Sequence, residues 1–187
     1  MSAVPGEAVI RPIRAEDAAA FRDLQLEALR RCPLAFTADL AEAEPRPLAT
    51  WREQAERSGG GADGVIVLAV VGGGGGGGGL LAGMAGAYRP TQPKLAHAGT
   101  VRGVYVREAY RMRGVGRRLV LACADRARAR GLATLRLSVV ASGNAAARRC
   151  YERRGFVRYG TEPMAVQWAG QFYDEELMAL RLLPPAD

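Results

Sequence analysis

The chain has 187 residues, an apolar fraction of 49% and a formal net charge of +7. That is enough to bury one sizeable core and short for two, which excludes a disordered chain and disfavours a multidomain one. The charge is concentrated: residues 107–130 hold eight arginines against Glu108 and Asp125. A protein that tracks a nucleic-acid backbone spreads its basic residues along a face, so one compact polyanion fits this clustering better.

Residues 8–12 read as a short strand. Arg14-Ala15-Glu16-Asp17 then puts acids where a helix dipole favours them. The helix that follows presents Phe21, Leu24, Ala28 and Leu29 on one face, and Pro33 ends it. Residues 37–47, acidic and proline-punctuated, read as a loop, and 51–57 as a shorter helix. Residues 64–87 carry no charge over 24 positions, long enough to suggest a membrane span, but eight consecutive glycines (72–79) sit in their middle. Each glycine costs a helix about 1 kcal/mol relative to alanine, so two strands, 65–71 and 80–88, joined by a flexible hairpin are expected. No Gly-Lys-Ser/Thr follows these glycines, so they have no phosphate-loop logic.

After a loop at 90–98, residues 101–106 (Val-Arg-Gly-Val-Tyr-Val) form a strand candidate. It runs into Tyr110-Arg111-Met112-Arg113-Gly114-Val115-Gly116-Arg117, where a helix begins. That helix carries Val115, Leu119, Ala122, Cys123 and Ala127 at helical spacing, and Gly131 stops it. Gly114 and Gly116 remove the Cβ atoms that would hold an anion away from the first turn, where unpaired N–H groups and the positive dipole end converge. Arg111, Arg113, Arg117 and Arg118 add charge there.

Residues 134–140 alternate as a strand, and Ser142-Gly143-Asn144 signals the next helix, with Ala147, Cys150 and Tyr151 on one face and Gly155 as its cap. Strands at 156–159 and 172–182 complete the chain. The expected fold is therefore α/β: a single mixed sheet of about seven strands with four helices on it, one domain over 8–184 between tails at 1–7 and 185–187. Cys32, Cys123 and Cys150 lack metal-ligand spacing and read as small core residues, and no apolar leader opens the chain. These features predict no metal, no membrane segment and a reducing cytoplasm.

The loop at 110–117 resembles the acetyl-CoA-binding motif of the GNAT N-acetyltransferase superfamily, Arg/Gln-x-x-Gly-x-Gly/Ala after a strand. Thirty residues beyond Gly114, Asn144, Ala147, Tyr151, Gly155 and Phe156 resemble the second signature, Asn-x-x-Ala-x-x-x-Tyr-x-x-x-Gly-Phe. Outer segments agree: Glu27-Ala28-Leu29-Arg30, Gly83-Met84-Ala85-Gly86 and Tyr173-Asp174-Glu175-Glu176 are similar to a common bacterial GNAT subgroup. Met112 departs from the family's frequent glycine, and a local loop change without loss of binding is expected.

The resemblance implies a mostly antiparallel sheet whose central strands splay apart, and it implies roles. Backbone N–H groups of Arg113, Gly114, Val115, Gly116 and Arg117, with Arg111 and Met112 in the same loop, would hold the pyrophosphate. The strand at Val104, Tyr105 and Val106 would contact the pantetheine arm through a bulge, the Tyr105 side chain either packing or lining the acceptor pocket. Asn144 would cap its helix and bond the pantetheine amide. Tyr151 would give a proton or hydrogen bond to the departing thiolate.

For a general base, Glu42, Glu44, Asp174, Glu175 and Glu176 are candidates that read equally as solvated surface charges. His97 reads as a loop residue, and Trp51 and Trp168 as core or interface anchors.

The expected function is acetyl-CoA-dependent acetyl transfer directly to a primary amine of a small molecule or peptide, with no acyl-enzyme, nucleic acid or membrane partner; a homodimer is left open. The rivals are a non-catalytic acyl-CoA sensor and a basic nucleic-acid-binding protein.

Overall fold

The computed structural model describes residues 7–60, 64–72 and 79–183. Seven strands form one sheet in the order β1-β2-β3-β4-β5-β7-β6. They are β1 (Val9–Pro12), β2 (Gly64–Val71), β3 (Leu80–Tyr88), β4 (Ala98–Val106), β5 (Thr134–Val140), β6 (Val157–Trp168) and β7 (Gln171–Arg181). Every neighbouring pair is antiparallel except β4 with β5.

The uncharged run at 64–87 is the hairpin expected from its glycines: β2 and β3 pair from Val71 opposite Leu80 to Gly64 opposite Tyr88. The middle glycines, 73–78, lie outside the described residues. Both strands are buried on both faces, which is why they read as continuous apolar runs and not as alternation. Val65, Val67 and Ala69 join one core, while Ile66, Leu68 and Val70 join the other. Helices α1 (Ala18–Arg31) and α3 (Leu48–Gly60) cover the second face with Phe21, Leu24, Trp51 and Ala55. Helix α4 (Val115–Ala129) covers the first with Leu119, Cys123 and Ala127. Leu24 and Leu119 are wholly buried, each worth about 1.5–3 kcal/mol of hydrophobic stabilisation. Helix α5 (Ala145–Glu152) packs Tyr151 edge-on to Phe156, ring centroids 6.0 Å apart.

Four expectations are corrected. The acidic segment at 37–47 contains a fifth helix, α2 (Leu40–Ala43), where the Asp39 carboxylate accepts from the Ala41 N–H at 2.7 Å. The helix expected at 51–57 extends over Leu48–Gly60. β4 starts at Ala98, inside the expected loop. β6 runs to Trp168, far past Tyr159; as an edge strand it tolerates Pro163 and absorbs two register shifts that hide its periodicity. Of the tails, only Glu7 is described, and it accepts from Arg118 at 3.4 Å.

No described helix is long and apolar enough to cross a membrane. The sheet's central break positions the site. β4 and β5 pair only where residues 98–100 face residues 134–136, yet the strands continue to Val106 and Val140. Beyond Thr100 they separate, leaving one edge of β4 without a strand partner.

Candidate active site

The splay opens a cleft of about 540 Å³ between Val101, Gly103 and Val104 on β4 and Leu137, Ser138 and Val139 on β5. β4 bulges there: two steps on β3, Met84 to Gly86, face three on β4, Tyr105 to Arg102. Gly103 takes φ +65° in that bulge, a left-handed conformation disfavoured for other residues. The bulge interrupts the β3–β4 ladder between Arg102 and Tyr105.

Loop 111–114 follows β4 and hands over to α4. Gly114 adopts φ +76° and ends the turn, so the first N–H groups of α4 are left without intrahelical partners. A Cβ on Gly116 would stand 3.6 Å from Val106 Cγ2 and 4.0 Å from Cys150 Sγ, ordinary contacts that the fold itself would accept. The end of β4, the start of α4 and helix α5 therefore converge at Gly116, and the two sequence signatures meet in space. Met112 also has positive φ, 59°, with its side chain 98% exposed, which places the departure from glycine in a strained turn facing solvent.

The arginines divide by partner. Arg107 donates to Glu27 Oε2 at 2.9 Å, Arg118 pairs with Glu7, and Arg130 reaches the Gly60 and Gly64 carbonyls. Arg111 donates through Nε to the Val106 carbonyl at 3.0 Å and lies over the Tyr105 ring. Arg113 and Arg117 have no ion pair among the described residues and stand exposed beside the helix start. Arg111 keeps its charge as well, since a neutral carbonyl is its partner, so Arg111, Arg113 and Arg117 are the arginines of this loop and first turn without a carboxylate partner among the described residues.

The side chains expected at the site fall in different places. Asn144 lines the cleft, but its side chain does not cap α5; Nδ2 donates back to the Val140 carbonyl at 3.3 Å. Tyr151 lines the cleft and is 9% exposed; burial, then the neighbouring Cys150 and Cys123, pushes its hydroxyl pKa well above the usual value of 10. Tyr105 packs in the α1 and α3 core and donates to Glu27 Oε1 at 2.9 Å. Burial and the Glu27 carboxylate push its pKa up to about 12. Val104 lines the cavity, whereas Val106 and the loop at 111–117 are not among its lining residues.

Of the five acids considered, only Glu175 lines the cleft. Glu44 pairs with Arg30, Asp174 accepts from the Met164 N–H, and Glu176 is buried against Arg148. Glu42 is exposed on α2. His97 is exposed at the opposite end of β4 from the bulge, Trp51 packs edge-on to Phe21, and Trp168 is exposed at the β6 end. No cysteine lines the cavity; Cys123 is fully buried, which pushes its thiol up to about 12, while Cys32 and Cys150 are half-buried, correcting their reading as core. Gln25, Gln54, Tyr88 and Arg102 line the cleft without a sequence signal, because strand and helix register alone decide their direction. Glu27, which ties Tyr105 to Arg107, was equally hidden: its partners lie 78 and 80 residues away.

The profile of the acetyltransferase (GNAT) family matches residues 23–156. An L-methionine sulfoximine/L-methionine sulfone acetyltransferase of Pseudomonas aeruginosa is 37% identical over 99 residues, 52% of this chain and 57% of that protein. The match thus spans little more than half the length of this curated relative. Among solved structures, a GNAT-family acetyltransferase from Streptococcus pneumoniae has a TM-score of 0.77 at 21% identity, covering 94% of this chain and 99% of its own. The yncA structure from Salmonella typhimurium, with its cofactor acetyl-CoA, has a TM-score of 0.76 at 22% identity, covering 97% and 98%. These structural likenesses speak for the splayed seven-stranded fold, and the family profile spans both glycine loop and Asn144–Phe156 signature. The chain belongs to the acetyltransferase (GNAT) family.

Proposed function

We propose that the protein transfers an acetyl group from acetyl-CoA directly to the primary amine of a small-molecule acceptor. The observation that carries this reading is the convergence at Gly116, where the glycine-marked start of α4 meets the end of β4 and helix α5, together with a β4 edge that has no strand partner beyond Thr100. The pyrophosphate is held by N–H groups from Arg113 to Arg117 with the Arg113 and Arg117 side chains, and pantetheine lies along residues 103–106 with Asn144 beside it. N–H groups of the bulge polarise the thioester carbonyl.

The amine nitrogen attacks the carbonyl carbon, the C–S bond breaks, and the amine proton leaves toward Glu175 or water. Tyr151, kept protonated by burial, donates a hydrogen bond to the departing sulfur. Its hydroxyl is a weaker acid than a thiol of pKa about 8.5, so it stabilises the thiolate and does not surrender its proton to it. Direct transfer uses no acyl-enzyme, and no cysteine lines the cleft to serve as a thiol nucleophile.

The relative's acceptors, methionine sulfoximine and sulfone, make amino acids the first class to try. Thiol release from acetyl-CoA, measured across amino acids, amines, aminoglycosides and polyamines, is expected to show at least one acceptor with matching amide product. Tight acetyl-CoA binding with no thiol release from any amine would instead favour a sensor.

A further inference from the structure

The cleft passes through the sheet, and its two sides differ in chemistry. On the α4 and α5 side it is lined by Val101, Val139, Ala147 and Tyr151, an apolar wall suited to pantetheine. On the α1 and α3 side Phe21, Phe36, Ile66 and Met84 line it too, but that side adds the polar Gln25, Gln54 and Tyr88 and holds two opposite charges, Arg102 and Glu175.

Strand alternation places both charges on that side. Val101 packs in the α4 core, so Arg102 points the other way. Glu176 is buried beneath Arg148 of α5, 3.1 Å away, so Glu175 points away from α5. Neither Arg102 nor Glu175 forms an ion pair among the described residues, whereas the neighbouring Glu176 pairs with Arg148 and Glu44 with Arg30. Arg102 lies near enough to Tyr88 for its charge to oppose the upward shift that burial gives that hydroxyl.

Resting on the acetyl-transfer reading, we infer that the acceptor is a free α-amino acid, its carboxylate held by Arg102 and its ammonium facing Glu175. A zwitterion satisfies both charges at once. A polyamine would meet Glu175 but be repelled by Arg102, and a peptide N-terminus lacks the adjacent carboxylate. A planar guanidinium also suits a carboxylate, which it can bind through two N–H groups. The amine then enters from the α1 and α3 side, opposite the pantetheine wall, and loses its proton toward Glu175 before it attacks.

The test compares acetylation of three amino acids with their decarboxylated amines: L-methionine sulfone with 3-(methylsulfonyl)propylamine, L-phenylalanine with 2-phenylethylamine, and L-lysine with cadaverine. In the wild type at least one amino acid is expected to exceed its amine in kcat/KM by about 10- to 100-fold, the value of one charge-assisted hydrogen bond. In R102Q that ratio collapses toward one, mainly through KM for the amino acid, and R102K restores part of it. Arg102 is exposed, so the thermal midpoint of these variants should match the wild type. Equal acetylation of acids and amines, or a preference that survives R102Q, overturns the assignment and leaves acetyl transfer standing. Acetyl-CoA binding with neither set acetylated overturns both, and so marks failure of the underlying reading.

Discussion

Gly116→Asp is expected to weaken acetyl-CoA binding by at least about 100-fold while leaving the thermal midpoint unchanged or slightly higher. The two effects have opposite sign because the same dipole acts on both. A carboxylate in the first turn of α4 is favourable for the helix by about 0.3–1 kcal/mol. It would also sit where the pyrophosphate belongs, and two like charges about 4 Å apart repel by about 4 kcal/mol at an effective dielectric of 20. Space is not the obstacle, since a Cβ at this position meets only Val106 and Cys150 at ordinary contact distance. Calorimetric titration with acetyl-CoA and a thermal melt separate the effects. Affinity within threefold of the wild type would remove this helix start from the cofactor site.

Tyr151→Phe is expected to lower kcat by about 10- to 100-fold with little change in acetyl-CoA affinity. The hydroxyl lines the cleft from α5 while the ring packs against Phe156, so the substitution deletes one polar atom and keeps the apolar contact. The thiolate exists only as the C–S bond breaks, so the lost hydrogen bond belongs to the transition state and not to the bound thioester. A charge-assisted hydrogen bond of about 1.5–3 kcal/mol gives the stated range. Steady-state kinetics beside equilibrium titration checks this. Wild-type turnover in the variant, with chemistry shown to be rate-limiting, would take Tyr151 out of the reaction.

The sequence made the proposed donor half of the site legible because that half is local. Gly114, Gly116, Asn144 and Tyr151 sit at helix starts or on one helix face, where spacing along the chain fixes direction. The strand at 101–106 and the glycine-bridged hairpin were legible for a similar reason, as apolar runs too short or too broken for helices. The proposed acceptor half is built from distant pieces. Arg102 faces the α1 and α3 side only because β4 runs in one register up to the bulge at Gly103, and Glu175 does so because its neighbour Glu176 is buried on the other face.

Side-chain partners were illegible for the same reason. Arg111 is spent on the Val106 carbonyl, and Asn144 turns to Val140 instead of capping, both through contacts that no spacing rule specifies. β6 was cut short because Pro163 and the positive φ of Met164 interrupt its pattern, an interruption that an edge strand accommodates.

The central claim is direct transfer of acetyl from bound acetyl-CoA to an amine in the β4–β5 cleft. Mixing the protein with an equimolar amount of [1-13C]acetyl-CoA and L-methionine sulfone, and following the label by mass spectrometry through a single turnover, tests it most directly. One labelled amide per thiol released is expected, with the protein's own mass unchanged throughout. Label accumulating covalently on the protein before the amide forms would contradict it.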